Sequence, residues 1–355
     1  LLRRVFVHFP QGKAVVYCEQ QFNSTYGKTA HGLIRRTHRY EILAIIDSSN
    51  KGSDSGTLLS GKANGIPIIG SLNEAPTETT HFVIGLAPDG GRMDETTRKA
   101  ILCAIDKGWD IDSGLHDFLQ DDSEIVEKAR SNHVTLRDVR KPPHRKMLHF
   151  FSGAIEDVTS TTIAILGTDS AVGKRTTAWL LVDGLRQIGM TCEFIGTGQT
   201  AWFQGASYGV IMDALVNDFV AGEIEHAIWT AWNEKNPDVI IVEGQGSLMN
   251  PAFPGGFEIL AAARPDFIIL QHAPARKEYD GFPGYPVHDI NKQIQAIELI
   301  SDKPVIAITV NHENIAKDEV DEVCEQLARK TGRAVSDLLQ EGPVPLAKYL
   351  VNHFH

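Results

Sequence analysis

Long apolar runs are missing from this 355-residue chain: none approaches the ~20 residues that a membrane-spanning helix needs, so no membrane partner is expected. Cysteine is scarce. Cys18, Cys103, Cys192 and Cys324 lie far apart without CxxC spacing, which reads as reduced, mostly buried thiols in a cytoplasmic chain. Positive charge is in deficit, with 34 Lys and Arg against 45 Asp and Glu. The net charge of −11 leaves no footprint for nucleic acid, although a local basic pocket could hold a phosphorylated ligand. The 14 histidines form no HExxH pattern, and no metal site is assigned to them. Internal repeats and low-complexity tracts are absent as well.

What is present is the composition of a globular protein, 42% hydrophobic and 22% charged, at a length that favours two domains. Apolar runs at Glu41–Asp47, Gly65–Gly70 and His81–Ala87 alternate with helical segments at Asp94–Lys107 and Glu124–Asn132. That alternation predicts a parallel, doubly wound sheet and a Rossmann-like domain. Arg140–Lys146, with paired prolines and clustered basic residues, breaks both periodicities and sets expected domains of 1–143 and 144–355. The second part predicts strands at 162–166, 191–195, 238–242, 266–270 and 304–310, with helices at 174–188, 208–220, 223–233, 290–300 and 317–331. The fold class is therefore α/β, an N-terminal Rossmann-like domain followed by a P-loop NTPase-like doubly wound parallel-sheet domain.

The richest stretch runs from Gly167 through Thr168, Asp169, Gly173, Lys174, Arg175 and Thr176 to Thr177, between a strand and a helix. Backbone N–H groups and a helix N-terminus converge there on an anion, and Lys174 adds a point charge. The spacing is one residue longer than GxxxxGK[ST], and Arg175 stands where a Mg²⁺-binding hydroxyl would follow the lysine. A second strand delivers Glu243 and a glycine turn containing Gln245 and Ser247 to the same sheet edge, as a general base or metal ligand. Thr197, Gln199 and Thr200 lie in another post-strand turn, leading into a polar and aromatic loop read as a substrate wall. His272 ends a further strand with the chemistry of a proton acceptor. Arg276 and Lys277 sit in a Gly/Pro-rich rim loop that offers cations to a carboxylate. In the first domain, Gly27–Gly32 and Asp47 make an incomplete dinucleotide fingerprint, so NAD is not expected.

Gly167-Thr168-Asp169 through Gly173-Lys174, with Val242-Glu243-Gly244, resembles dethiobiotin synthetase. More closely, these segments together with Thr197–Thr200, Gln245–Ser247, Gln271–Pro274, Ser113–His116 and Asp138–Pro142 resemble a two-domain P-loop family, formerly of unknown function, that includes D-glutamate N-acetyltransferases. The resemblance covers most of the chain. It implies transfer of an acetyl group from acetyl-CoA to an acidic amino acid, with D-glutamate expected. Gly167, Thr168, Gly173, Lys174, Arg175, Thr176 and Thr177 would bind the coenzyme A phosphates, and Arg175 suits a phosphate site that works without metal. Glu243 or His272 would remove the ammonium proton, with Asp169 also in the catalytic set. Backbone N–H groups of 244–247 would meet the developing oxyanion, and Arg276 or Lys277 the substrate carboxylates. Thr197, Gln199, Thr200, Gln245 and Ser247 complete the expected substrate wall. The alternative is an ATP- and Mg²⁺-dependent ligase or kinase of a small carboxylate, with Asp169 and Glu243 holding the metal and Thr176 replacing the missing ligand. A catalytically silent sensor is a third reading. A homo-oligomer is expected.

Overall fold

A computed structural model describes residues 10–354. The chain forms two compact units. The first runs to Pro142 and takes in Gln199–Gly205; the second holds Pro143–Gly198 and the chain from Ala206 onward.

The first unit is built on six strands: β1 (Gly12–Tyr17), β2 (Tyr40–Ile46), β3 (Ile68–Ile69), β4 (His81–Ile84), β5 (Asp110–Ser113) and β6 (Leu136–Asp138). All pair in parallel in the order β3-β2-β1-β4-β5-β6, so the order reverses between β1 and β4, as in a Rossmann-like sheet. The central strand β1 has no counterpart among the expected strands; its Val15 and Tyr17 face one apolar layer while Ala14 and Val16 face the other. Helices α1 (Lys28–Arg35), α2 (Ser55–Ser60), α3 (Glu95–Asp106) and α4 (Ser123–Ser131) cover it. The last three start where Asp54, Asp94 and Asp122 accept hydrogen bonds from first-turn N–H groups.

The second unit contains β7 (Thr161–Gly167), α5 (Lys174–Gln187) and β8 (Cys192–Gly196). The chain then leaves it through α6 (Gln199–Gln204) and returns at β9 (Tyr208–Gly209), α7 (Asn217–Lys235), β10 (Val239–Glu243), α8 (Gly256–Ala263) and β11 (Phe267–His272). It closes with α9 (Ile290–Ser301), β12 (Val305–Val310), α10 (Val320–Thr331), β13 (Ala334–Ser336), α11 (Leu338–Glu341) and α12 (Val344–Val351). The seven-stranded parallel sheet runs β13-β12-β11-β7-β10-β8-β9, which puts β7 at its centre. The helix predicted over 208–220 does not form: Tyr208 and Gly209 pair with β8, and the helical periodicity starts only at Asn217, running on unbroken through 223–233.

The excursion through α6 is driven by burial. Phe203 is fully buried among Ala30 and Leu33 of α1 and Val16 of β1. The helix's last carbonyls, which lack intrahelical partners, accept from Arg39 Nε (Trp202 O, 2.7 Å), Thr37 Oγ1 (Phe203 O, 3.1 Å) and the His38 N–H (Gln204 O, 2.9 Å). Gln199 and Thr200 therefore belong to the first unit. Gln199 Oε1 accepts from Arg140 Nε at 2.8 Å, and the Thr200 hydroxyl lies 3.4 Å from that of Thr29. Thr197 belongs to the second unit. No helix among the described residues is long and apolar enough to cross a membrane.

Candidate functional site

β7 ends at Gly167, and Thr168 to Gly173 loop over to Lys174, the first residue of α5. Ala171 and Gly173 hold left-handed backbone, φ 51° and 105°, which turns successive N–H groups inward. The Thr168 N–H is engaged by Gln271 O at 3.0 Å and that of Ser170 by Asp169 Oδ1 at 2.7 Å. Those of Ala171, Val172 and Gly173 have no acceptor among the described residues, and no side chain caps α5. The result is an array of donors at a helix N-terminus, suited to an anion.

Lys174 reaches this array along a channel that only glycine leaves open. A Cβ added at Gly167 would stand 2.8 Å from Lys174 Cδ, and one at Gly244 would stand 3.0 Å from it and 2.2 Å from Ile165 O. The ammonium donates to Asp169 O at 2.7 Å. Burial pulls its pKa down to about 8, against the opposing pull of Asp169 and Glu243. One residue on, the Arg175 guanidinium comes within 3.9 Å of Glu243 Oε1, and its Nε is buried without a partner. Glu243, 4% exposed at the end of β10, accepts from the Thr197 N–H at 2.9 Å. Burial raises its pKa, with Arg175, Thr197 and Lys174 working the other way. Thr197 Oγ1 is another buried atom without a partner, and Gln245 Nε2 holds the Thr197 carbonyl at 2.9 Å. Two cations, one carboxylate and two unsatisfied polar atoms thus share one rim.

Several expected site residues are engaged elsewhere. Asp169 is fully buried; Oδ1 accepts from the Ser170 N–H and Asn250 Nδ2 (2.7 and 2.8 Å), Oδ2 from Arg276 Nη1 and the Asp280 N–H (2.9 and 2.8 Å). With four donors on two oxygens it organises the loop instead of facing a reacting group. Arg276 is consumed the same way, binding Asp169, Ser170 O at 2.7 Å and Glu313 at 2.7 Å, so its charge is already met by two carboxylates. Lys277 remains exposed. The Thr177 hydroxyl donates to Gln271 Oε1, which also receives Thr309 Oγ1, and so faces the sheet interior. Thr176 is half-buried in the first turn of α5. Thr168 Oγ1 pairs with His272 Nδ1 at 2.9 Å; burial drops the His272 pKa to about 4, leaving a neutral ring and a poor base near pH 7. Ser247 caps a turn, its hydroxyl accepting from the Asn250 N–H at 3.0 Å and its own N–H donating to Phe253 O at 3.1 Å, which removes that N–H from the expected oxyanion set.

Asn250 was missed. Its amide nitrogen ties Asp169 while its oxygen accepts from the Ala252 and Phe253 N–H groups at 2.9 and 3.0 Å, joining the turn after β10 to the phosphate loop. The Asn-Pro pair at 250–251 inside a glycine-rich turn was the available signal. No group of three or more His, Cys, Asp or Glu side chains among the described residues could hold a metal ion.

In the first unit, Asp47 directly follows β2, where a dinucleotide-binding sheet presents its ribose-binding acid. It is fully buried and accepts from the N–H groups of Gln20 (3.1 Å), Phe22 (3.2 Å) and Ser49 (2.9 Å) and from Asn50 Nδ2 (2.9 Å). The carboxylate is closed by its own loops.

Two family profiles match the chain: the DUF1611 N-terminal Rossmann-like domain of unknown function over residues 48–142, and the DUF1611 C-terminal P-loop domain of unknown function over 149–347. A D-glutamate N-acetyltransferase of Pseudoalteromonas sp is 32% identical over 272 residues, covering 74% of this chain and 78% of that one. Another protein of that name, from Tritonibacter scottomollicae, is 29% identical over 267 residues with the same coverage, 74% and 78%. The crystal structure of a DUF1611 family protein from Anabaena variabilis matches with a TM-score of 0.89 at 25% identity, covering 96% of this chain and 99% of that one.

Proposed function

The chain belongs to the DUF1611 family, and from that membership we propose that it is an N-acetyltransferase, moving the acetyl group of acetyl-CoA to the amine of an acidic amino acid, D-glutamate first among them. The names of its relatives point to this reaction; the phosphate loop gives it a physical basis.

The observation that carries the reading is the pairing of Lys174 and Arg175 at the loop, with Arg175 standing where a hydroxyl would follow the lysine and the Thr177 hydroxyl turned inward to Gln271. A nucleoside triphosphate bound as its Mg²⁺ complex needs a hydroxyl or carboxylate at the metal. Here Asp169 already accepts four hydrogen bonds and Glu243 lies beside Arg175. Coenzyme A presents diphosphate and ribose 3′-phosphate groups that an ammonium, a guanidinium and the loop N–H groups meet directly. The unpartnered Arg175 Nε and Thr197 Oγ1 fit that role, since a buried polar atom gains most from a ligand that satisfies it. The thioester supplies the activated acyl group; the chain holds the phosphates and receives the amine's proton. Lys277 stays the cation for a substrate carboxylate, Arg276 being engaged.

The test compares acetyl-CoA with Mg-ATP as stabilisers of the full chain, in wild type and in Lys174→Ala and Arg175→Ala, alongside release of free thiol with D-glutamate. Acetyl-CoA at a hundredfold excess over its Kd should add about 2.7 kcal/mol and raise the melting temperature by several degrees. Each substitution should weaken binding by about 1.5 to 3 kcal/mol, the scale of a hydrogen bond to a charged group. Stabilisation by Mg-ATP alone, with no amino-acid-dependent thiol release, would refute the proposal.

A further inference from the structure

Amine acylation needs a proton acceptor, and neither expected candidate suits the task. The His272 ring is buried against Thr168 with its pKa near 4, and Glu243 is taken up by the Thr197 N–H and Arg175. Resting on the acetyltransferase reading above, we infer that the base is His312, held in position by Asp337.

β12 and β13 lie side by side, Thr309 paired with Ser336, and the chain leaves their carboxyl ends at Asn311 and Asp337. His312 and Asp337 therefore meet at the sheet edge that carries the phosphate loop, Glu243 and His272, with β12, the strand before His312, two strand spacings from β7, or about 10 Å. His312 Nδ1 bonds Asp337 Oδ2. The carboxylate is sealed inside, its side chain 1% exposed, while the imidazole is 39% exposed. Asp337 Oδ1 separately accepts from the Leu339 and Gln340 N–H groups at 2.9 and 3.2 Å, so capping the short helix needs only that oxygen, and Oδ2 is left to orient the ring. An acceptor at Nδ1 places the proton there and leaves the Nε2 lone pair turned away from the carboxylate, the arrangement that positions a general base.

The segment bearing His312 is also tied to the phosphate loop. The Asn311 N–H donates to His272 O at 2.7 Å, the Glu313 N–H to Asn311 Oδ1 at 3.1 Å, and Glu313 holds Arg276, which holds Asp169 and Ser170 O. Ordering the loop around phosphate therefore also fixes the backbone beside His312.

In the step, the substrate ammonium first releases one proton to solvent. As the amine nitrogen forms its bond to the thioester carbonyl carbon, Nε2 of His312 takes the nitrogen's second proton. The carbon–sulfur bond breaks with its electron pair on sulfur, and the imidazolium returns that proton to the thiolate. Amide, free thiol and one solvent proton balance the equation. Glu243 stays with Lys174 and Arg175 as part of the phosphate site.

The test uses the full chain carrying His312→Gln or Asp337→Asn. It measures kcat and KM for thiol release, acetyl-CoA binding and melting temperature, with ¹⁵N-imidazole spectra of His312 as a readout independent of turnover. Asparagine caps a helix as well as aspartate, so Asp337→Asn should melt within a few degrees of wild type. His312→Gln should lower kcat about 100-fold or more with acetyl-CoA affinity unchanged. Asp337→Asn should lower kcat with little change in KM, and the spectra should show Nδ1 protonated in wild type and that tautomer lost in the variant. A wild type that turns over while His312→Gln keeps kcat within threefold overturns the assignment and leaves the acetyltransferase reading intact. A wild type that never releases thiol overturns both.

Discussion

At the scale of single residues, burial sets the chemistry of the second unit's rim. Lys174, Glu243 and His272 are each pushed toward their neutral forms by desolvation, and the opposite charges around Lys174 and Glu243 only partly restore them. An anion arriving at the loop would stabilise the charged lysine, so ligand binding and proton uptake at Lys174 are coupled. His272 has a consequence for stability. Its pKa near 4 lies below the ordinary 6.5, so on acidification the unfolded chain takes up the proton first. Above pH 6.5 both states are neutral there and nothing is lost; between about 6.5 and 4 stability declines, by about 3 kcal/mol in total. Denaturant titrations of wild type and His272→Gln at pH 7 and pH 4.5 should show a smaller acid loss in the variant. An identical loss in both would place the acid sensitivity elsewhere.

At the scale of elements, the site depends on loops that brace one another. The phosphate loop, the 247–253 turn and the 276–280 segment converge on Asp169, which contributes acceptors while Asn250 and Arg276 contribute donors. Asn250→Ala removes the tie to Asp169 and the two contacts inside its own turn, and should cost about 1 to 3 kcal/mol by leaving buried groups unsatisfied. Melting curves should shift accordingly and acetyl-CoA affinity should fall, with helix content by circular dichroism unchanged. Unchanged affinity would show that the loop holds its shape without the brace. Little of this bracing was legible in the sequence. Glycines and a lysine after an apolar strand announce a phosphate loop because the local backbone needs them. Asp169, by contrast, reads like any loop acid until its four donors, drawn from residues up to 111 positions away, are seen around it.

At the scale of the whole molecule, the chain passes between two parallel sheets and gives the first a helix encoded within the second. Phe203 fills the apolar layer between α1 and β1, so Phe203→Ala should cost about 3 to 5 kcal/mol. Because it packs in the first unit, hydrogen exchange should speed up in β1 and α1 while β7 and β10 keep their protection. Equal loss of protection in both sheets would contradict the assignment of α6 to the first unit.

The sequence alone determined the two α/β units, the strands β7, β8, β10, β11 and β12 and the phosphate loop, because apolar runs of strand length and glycine turns act within a few residues of themselves. Tertiary structure alone decided that Asp169 and Arg276 satisfy each other, that Thr177 turns inward, that Gln199 and Thr200 leave for the other sheet, and that His312 meets Asp337. Each of these is a pairing between groups distant along the chain, and buried charge and hydrogen-bonding capacity are satisfied by whatever the fold brings near.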